Sequence, residues 1–213
     1  MTTTVQTDAR ALFRAAYENR YTWDENFPGY TADVTYREGD KTYSAKCRIN
    51  ADFSFDVTDI EDGEGKKAIH GQVWEIAVHR VRRAFEATHG ENTFTLGETD
   101  PDGGVEIFVG GKSEGDRYKV RNNEVSLVHR HIHGVVVTIN TFSSHDTGNG
   151  YLSHRYDSIY SDPKTGEVKG ARSEFEDLYE EIGGYYILTK RTITTEQHKS
   201  EFLFTNVQLL ERA

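Results

Sequence analysis

Between Glu124 and Phe142 the chain reads EVSLVHRHIHGVVVTINTF, its longest β-branched run. Side chains branched at Cβ are stiff at χ1 and pack best on a pleated surface. The middle of the chain is therefore committed to strand pairing, and its flanks are limited to what can pair with it. Downstream, Tyr151 to Ser161, Val168 to Glu181, Tyr185 to Thr195 and Ser200 to Leu210 read as strands, with turns at DPKTG and Gly183-Gly184. Upstream, Phe94 with Leu96, Val105 to Val109 and Tyr118 with Val120 do the same. The turn signals there are DPDGG, Gly110-Gly111 and Asn122-Asn123.

The start of the chain changes period. Ala9, Leu12, Phe13, Ala16 and Tyr17 recur at helical spacing, which predicts a helix over Thr7 to Arg20 capped by Thr7 or Asp8. After the aromatic stretch from Trp23 to Tyr30, the period becomes two. Ala32, Val34 and Tyr36 share one face of a strand, and Tyr43, Ala45, Cys47 and Ile49 continue it after a turn at Gly39-Asp40. Phe53, Phe55 and Val57 suggest a third strand. Lys66 to Thr88 then predicts a second helix with a stripe from Ile69 to Phe85, apolar enough to need the face of a sheet beneath it.

Two helices among roughly ten or eleven hairpin-linked strands imply an antiparallel sheet too long to stay flat. The expected fold is a single α+β domain over residues 1–213, a large curled antiparallel sheet forming an unclosed barrel with both helices packed against it.

Composition narrows the function. A net charge of −10 opposes nucleic-acid binding, which asks for a basic face. No run approaches the roughly eighteen apolar residues of a membrane span. MTTTVQTDAR lacks the basic and apolar parts of a secretory signal, and the lone Cys47 excludes a disulfide framework. The expected setting is cytoplasmic, or the chloroplast stroma in a eukaryote. Cys47 itself reads as a small core residue.

His129, His131 and His133 alternate, so on one continuous strand they share a face with Val125 and Leu127 and, further on, Val135, Val137 and Ile139. Imidazoles so placed can ligate zinc, iron or nickel, joined through the fold by His145 and His154. Against this, Gly134 marks a turn that removes His133 from the strand. Packing and hydrogen bonding are the ordinary roles for His129, His131, His145 and His154, which together form the candidate polar site. Ser144, His145 and Asp146 have the side-chain types of a hydrolase triad, but triads are assembled from distant positions, so these read as loop residues. The carboxylates from Glu174 to Glu181 are natural cross-strand partners for Lys190 and Arg191. The aromatic excess, 12 Tyr and 11 Phe, suggests the lining of an apolar cavity. Tyr36, Tyr43, Phe53, Phe55 and Phe94, with Trp74 on the second helix, are the candidate ligand-binding residues.

TFSSHDTGNGYLSHRYDSIYSDPKTGEV, preceded by HRHIHGVVVTIN, resembles a family found in cyanobacteria and chloroplasts to which no activity is attached. The resemblance covers nearly the whole chain and transfers no catalytic residue. The order helix, strands, helix, long meander also resembles the lipoprotein-carrier folds, in which an incomplete barrel holds acyl chains under a helical lid. Together these readings imply a non-enzymatic binding or accessory protein with a lipid or pigment as its hydrophobic partner and no identifiable cofactor. The alternatives are a pigment- or tetrapyrrole-handling barrel enzyme and a metal-dependent enzyme on the His129–His133 strand.

Overall fold

The Asn122-Asn123 signal marks a true tight turn: both residues are left-handed, at φ 53° and 60°, between strands Arg117–Arg121 and Glu124–Ile132. Only the mirror-image two-residue turns match the twist of paired strands, and asparagine tolerates their positive φ. The computed structural model describes residues 8–211, and two-residue turns recur in it at Gly39-Asp40, His133-Gly134 and Gly183-Gly184. Twelve strands form one antiparallel, unclosed sheet in the order β3-β2-β1-β12-β11-β10-β9-β8-β7-β6-β5-β4. They are β1 (Gly29–Glu38), β2 (Lys41–Asn50), β3 (Phe55–Thr58), β4 (Asn92–Thr99), β5 (Val105–Gly111), β6 (Arg117–Arg121) and β7 (Glu124–Ile132). β8 (Val135–Asp146), β9 (Tyr151–Ser161), β10 (Val168–Ile182), β11 (Tyr185–Thr194) and β12 (Lys199–Leu209) complete the set. The helices are α1 (Ala9–Glu18), α2 (Glu64–Arg80) and the short α3 (Phe85–His89).

By their internal contacts the residues group into two compact units, neither contiguous in sequence: Met1–Arg20 with Arg83–Ser173, and Tyr21–Arg82 with Glu174–Ala213. In the first unit α1 starts at the Asp8 cap, whose carboxylate accepts the Arg10 amide at 3.0 Å; Thr7, the other proposed cap, lies outside the described residues. α1 buries Phe13 and Ala16 against Ile107, Val109, Tyr118, Val120 and Phe85. The Phe13 ring stacks on Tyr118 with centroids 4.3 Å apart. In the second unit α2 buries Ile69, Val73, Ile76 and Ala77, and β1 and β2 bury Val34, Ala45, Cys47 and Ile49, as their alternation predicts. Gly65, in the first turn of α2, lies against the Tyr43 ring where a Cβ would overlap it.

Three expectations change. The helix predicted over Lys66 to Thr88 is two: Val81 and Ala84 are extended, at ψ 125° and 138°. Phe85 is buried in the first unit's core with Phe13, so the continuous stripe from Ile69 was two stripes serving two cores. Phe53 is not in the third strand; it turns at φ 65° just before β3 begins at Phe55. And Ser144, His145 and Asp146 are not loop residues, since β8 runs on to Asp146 before the turn to β9.

Candidate functional site

In the second unit, pairing places Tyr36 opposite Tyr43 on one side and Phe202 on the other. The rings form a three-member stack, with centroids 5.6 and 4.5 Å apart and planes within 15°. Burial pushes the Tyr36 phenol up to about 12. A second aromatic group surrounds the start of β1. Trp23 stacks on Phe27 at 4.0 Å, Phe53 stacks on Trp23 at 6.1 Å, and Tyr30 meets the Trp23 indole edge-on at 5.9 Å. The Trp23 indole N–H donates to the Tyr186 carbonyl at 3.2 Å, which fixes the wall. Tyr30 is fully buried, and its hydroxyl has no hydrogen-bond partner among the described residues. Desolvation drives its pKa well above the usual phenol value.

Of the six aromatic residues proposed to bind a ligand, Tyr36, Tyr43, Phe53, Phe55 and Trp74 belong to this unit. Phe55 lies 4.8 Å from the His70 ring on α2, and Trp74 is 53% exposed. Phe94 belongs to the first unit, where it packs on Phe13 at 5.4 Å. Sequence reading passed over Trp23, Phe27 and Tyr30 as wall residues, although their density before β1 was the available signal.

One buried ion pair ties α2 to the strands. Asp177 and Arg191 face each other across β10 and β11 and pair in a bidentate fork, Nε to Oδ1 at 2.8 Å and Nη2 to Oδ2 at 2.6 Å. Nη1 of Arg191 reaches Gln72 Oε1 at 2.9 Å and Glu75 Oε2 at 3.1 Å, both on α2. The Tyr179 hydroxyl donates to Asp177 Oδ2 at 3.2 Å, and burial raises its pKa, with the Asp177 carboxylate adding to the effect. The cross-strand partnership of the acidic stretch with Arg191 is thus real, but it lies inside the unit. Every strong donor of Arg191 is spoken for, so the pair holds structure rather than offering a reactive group. Cys47, buried on the same strand face as Ala45 and Ile49, has its thiol pushed up to about 12 by desolvation.

The histidines are arranged differently from expectation. Val120 pairs with Val125 and Lys119 with Leu127, so Ser126 is one extra residue on β7. This bulge reverses the alternation. Val125 and Val128 face the core, while Leu127, His129 and His131 take the opposite face. The two-residue turn then pairs odd with even positions, setting Thr138 beside His129 and Val136 beside His131, while Ile139 falls beside core-facing Val128. So Val135, Val137 and Ile139 do not share the histidine face. His133 sits in the turn at φ 49° with Gly134 at 81°, as Gly134 predicted. His129 Nδ1 is 2.8 Å from Thr138 Oγ1, and its pKa is lowered by burial and then by Arg117. His131 Nδ1 lies 3.0 Å from the buried carboxylate of Asp116. The two rings are 6.1 Å apart. His154 Nδ1 is 3.2 Å from Ser143 Oγ, and His145 pairs with Leu152 across β8 and β9. Among the described residues no three His, Cys, Asp or Glu side chains converge as a metal-ligand set. The four histidines are therefore a pair on one face of β7 and two residues of the β8–β9 hairpin.

A family model described as "Protein of unknown function (DUF3386)" matches residues 4–210. The chain belongs to that family. No curated protein matches this DUF3386 member. Among solved structures it is similar to a LolA superfamily protein from Nitrosomonas europaea, at 10% identity and TM-score 0.38 over 98% of this chain and 96% of that one. It is also similar to a putative outer membrane lipoprotein-sorting protein domain from Vibrio parahaemolyticus (10% identity, TM-score 0.34, covering 95% and 92%). A third is a DUF1329 family protein from Desulfovibrio piger (8%, 0.30, 95% and 94%).

Proposed function

We propose that this chain is a non-enzymatic binding protein that holds a lipid or pigment in its second unit, with one polar group of the guest meeting Tyr30. The observation that carries the reading is the Tyr30 hydroxyl, fully buried and unpartnered among Trp23 and Phe27. A buried hydroxyl left unsatisfied costs about 1–3 kcal/mol, and a guest supplying an acceptor would recover it. The aromatic walls suit an apolar body, and α2 has no side-chain cap at either end, so packing and the Arg191 contacts hold it in place. Lifting α2 would open the face beneath. The buried, unpaired Cys47 favours a reducing setting, cytoplasmic or stromal.

Native mass spectrometry of untagged protein tests this. An apolar molecule should co-purify, and Tyr30→Phe should lose it while staying folded. In protein stripped of guest, Tyr30→Phe should be neutral or stabilising by about 1 kcal/mol, because it removes an unsatisfied group. Protein that emerges empty, and takes up neither fatty acid nor pigment when offered them, would end the proposal.

A further inference from the structure

Three residues interrupt strand pairing between β6 and β9; two of them line one cavity of the first unit and the third touches a residue of its wall. Ser126 is the extra residue on β7. Thr141 pairs with Tyr156 and Ser143 with Arg155, which leaves Phe142 over on β8; Ser144 then pairs with Ser153, which leaves His154 over on β9. The β7–β8 ladder between them has no shift. Bulges re-aim side chains and recur beside binding and active sites. Here Ser126 and Phe142 line a cavity of about 210 Å³, and His154 contacts Ser143, which lines it as well.

We propose that this cavity binds a single neutral sugar ring, free or as the headgroup of a glycolipid. Its volume lies below the roughly 300–1,000 Å³ of sites for drug-sized ligands, so it suits one small ring. Its wall carries Arg121 and Glu124 from the two sides of the Asn122-Asn123 turn, and neither forms an ion pair among the described residues. An anion would meet the Glu124 carboxylate and a cation the Arg121 guanidinium. A polyhydroxyl ring satisfies both, since each of its hydroxyls donates and accepts. The hydroxyls of Ser126, Thr141 and Ser144 extend that pattern around the wall. Phe142, bulged out and 55% exposed, offers a flat apolar face for the C–H side of a pyranose.

The test is an NMR titration of the full chain with methyl glycosides of glucose, galactose and mannose at millimolar concentration. At least one should give saturable shifts at the Asn122, Phe142 and Ser143 amides. Phe142→Ala, at an exposed position that leaves the fold intact, should weaken that binding about tenfold, and Arg121→Ala should weaken it too. A parallel arm uses phosphatidylcholine vesicles carrying the same sugar as a glycolipid headgroup. Binding to vesicles alone identifies the headgroup as the source, and binding to both admits the free sugar. The proposal is overturned if no glycoside or glycolipid binds, if binding survives Phe142→Ala, or if inorganic phosphate shifts the same amides more strongly. None of these results bears on the Tyr30 site.

Discussion

Burial holds the His89 imidazole neutral and lowers its pKa from 6.5 to about 4, with Arg130 and Arg20 adding to the shift. The ring sits edge-on to Phe13 at 5.1 Å, and its Nδ1 is 3.2 Å from the Asn92 amide nitrogen. Between those two values the unfolded chain binds a proton that the folded one refuses. Stability is therefore complete above about pH 6.5 and is lost as pH falls towards 4, by roughly 3 kcal/mol in all. His89→Phe should remove that part of the acid slope in urea titrations run from pH 7 to 4; an unchanged slope would refute the assignment. Cys47 makes a second residue-scale prediction. Its buried, protonated thiol should resist a thiol reagent at pH 8 in the native protein and react at once in urea. The core role of Cys47 was legible in its place on an alternating strand. The role of His89 was not, because a histidine at i+4 from Phe85 looks the same whether the helix it belongs to is solvated or buried.

Elements were legible where chemistry punctuates them. Gly39-Asp40, Asn122-Asn123 and Gly183-Gly184 all stand where strands reverse, since each supplies the positive φ that a tight turn requires. Bulges left no such mark. Ser126, Phe142 and His154 are ordinary strand residues, and only the partner strand reveals that one of them has no opposite number. The break after Arg80 was hidden for a similar reason, because no glycine or proline announces it and burial of Phe85 elsewhere decides it. The Asp177–Arg191 pair gives the element scale its own prediction. Arg191→Leu strands a buried carboxylate and removes the contacts to Gln72 and Glu75, and should cost about 3–5 kcal/mol in denaturant unfolding. Asp177→Leu combined with Arg191→Met should recover most of that loss, because an apolar pair leaves no charge unpaired. If the double variant is as unstable as the single, the cost lies in packing rather than in charge.

At the scale of the whole molecule, the second unit closes only when the last strand returns to the first, with Tyr30 opposite Leu209 and Tyr36 opposite Phe202. Closing so long a loop is entropically slow, so refolding should take milliseconds to seconds rather than microseconds. Stopped-flow tryptophan fluorescence can follow it, since Trp23 is buried in this unit. A chain ending at Gly184 would lack Ile187, Leu188, Phe202 and Phe204, all buried. The strand order carries a further consequence. An open sheet presents unpaired amides and carbonyls at its two outermost strands, and these are templates for adding another chain. Here one outermost strand, β3, is four residues long. The other, β4, loses register between Leu96 and Thr99, beside Gly97. Both edges are blunted, which guards a twelve-stranded sheet against growing into a fibre.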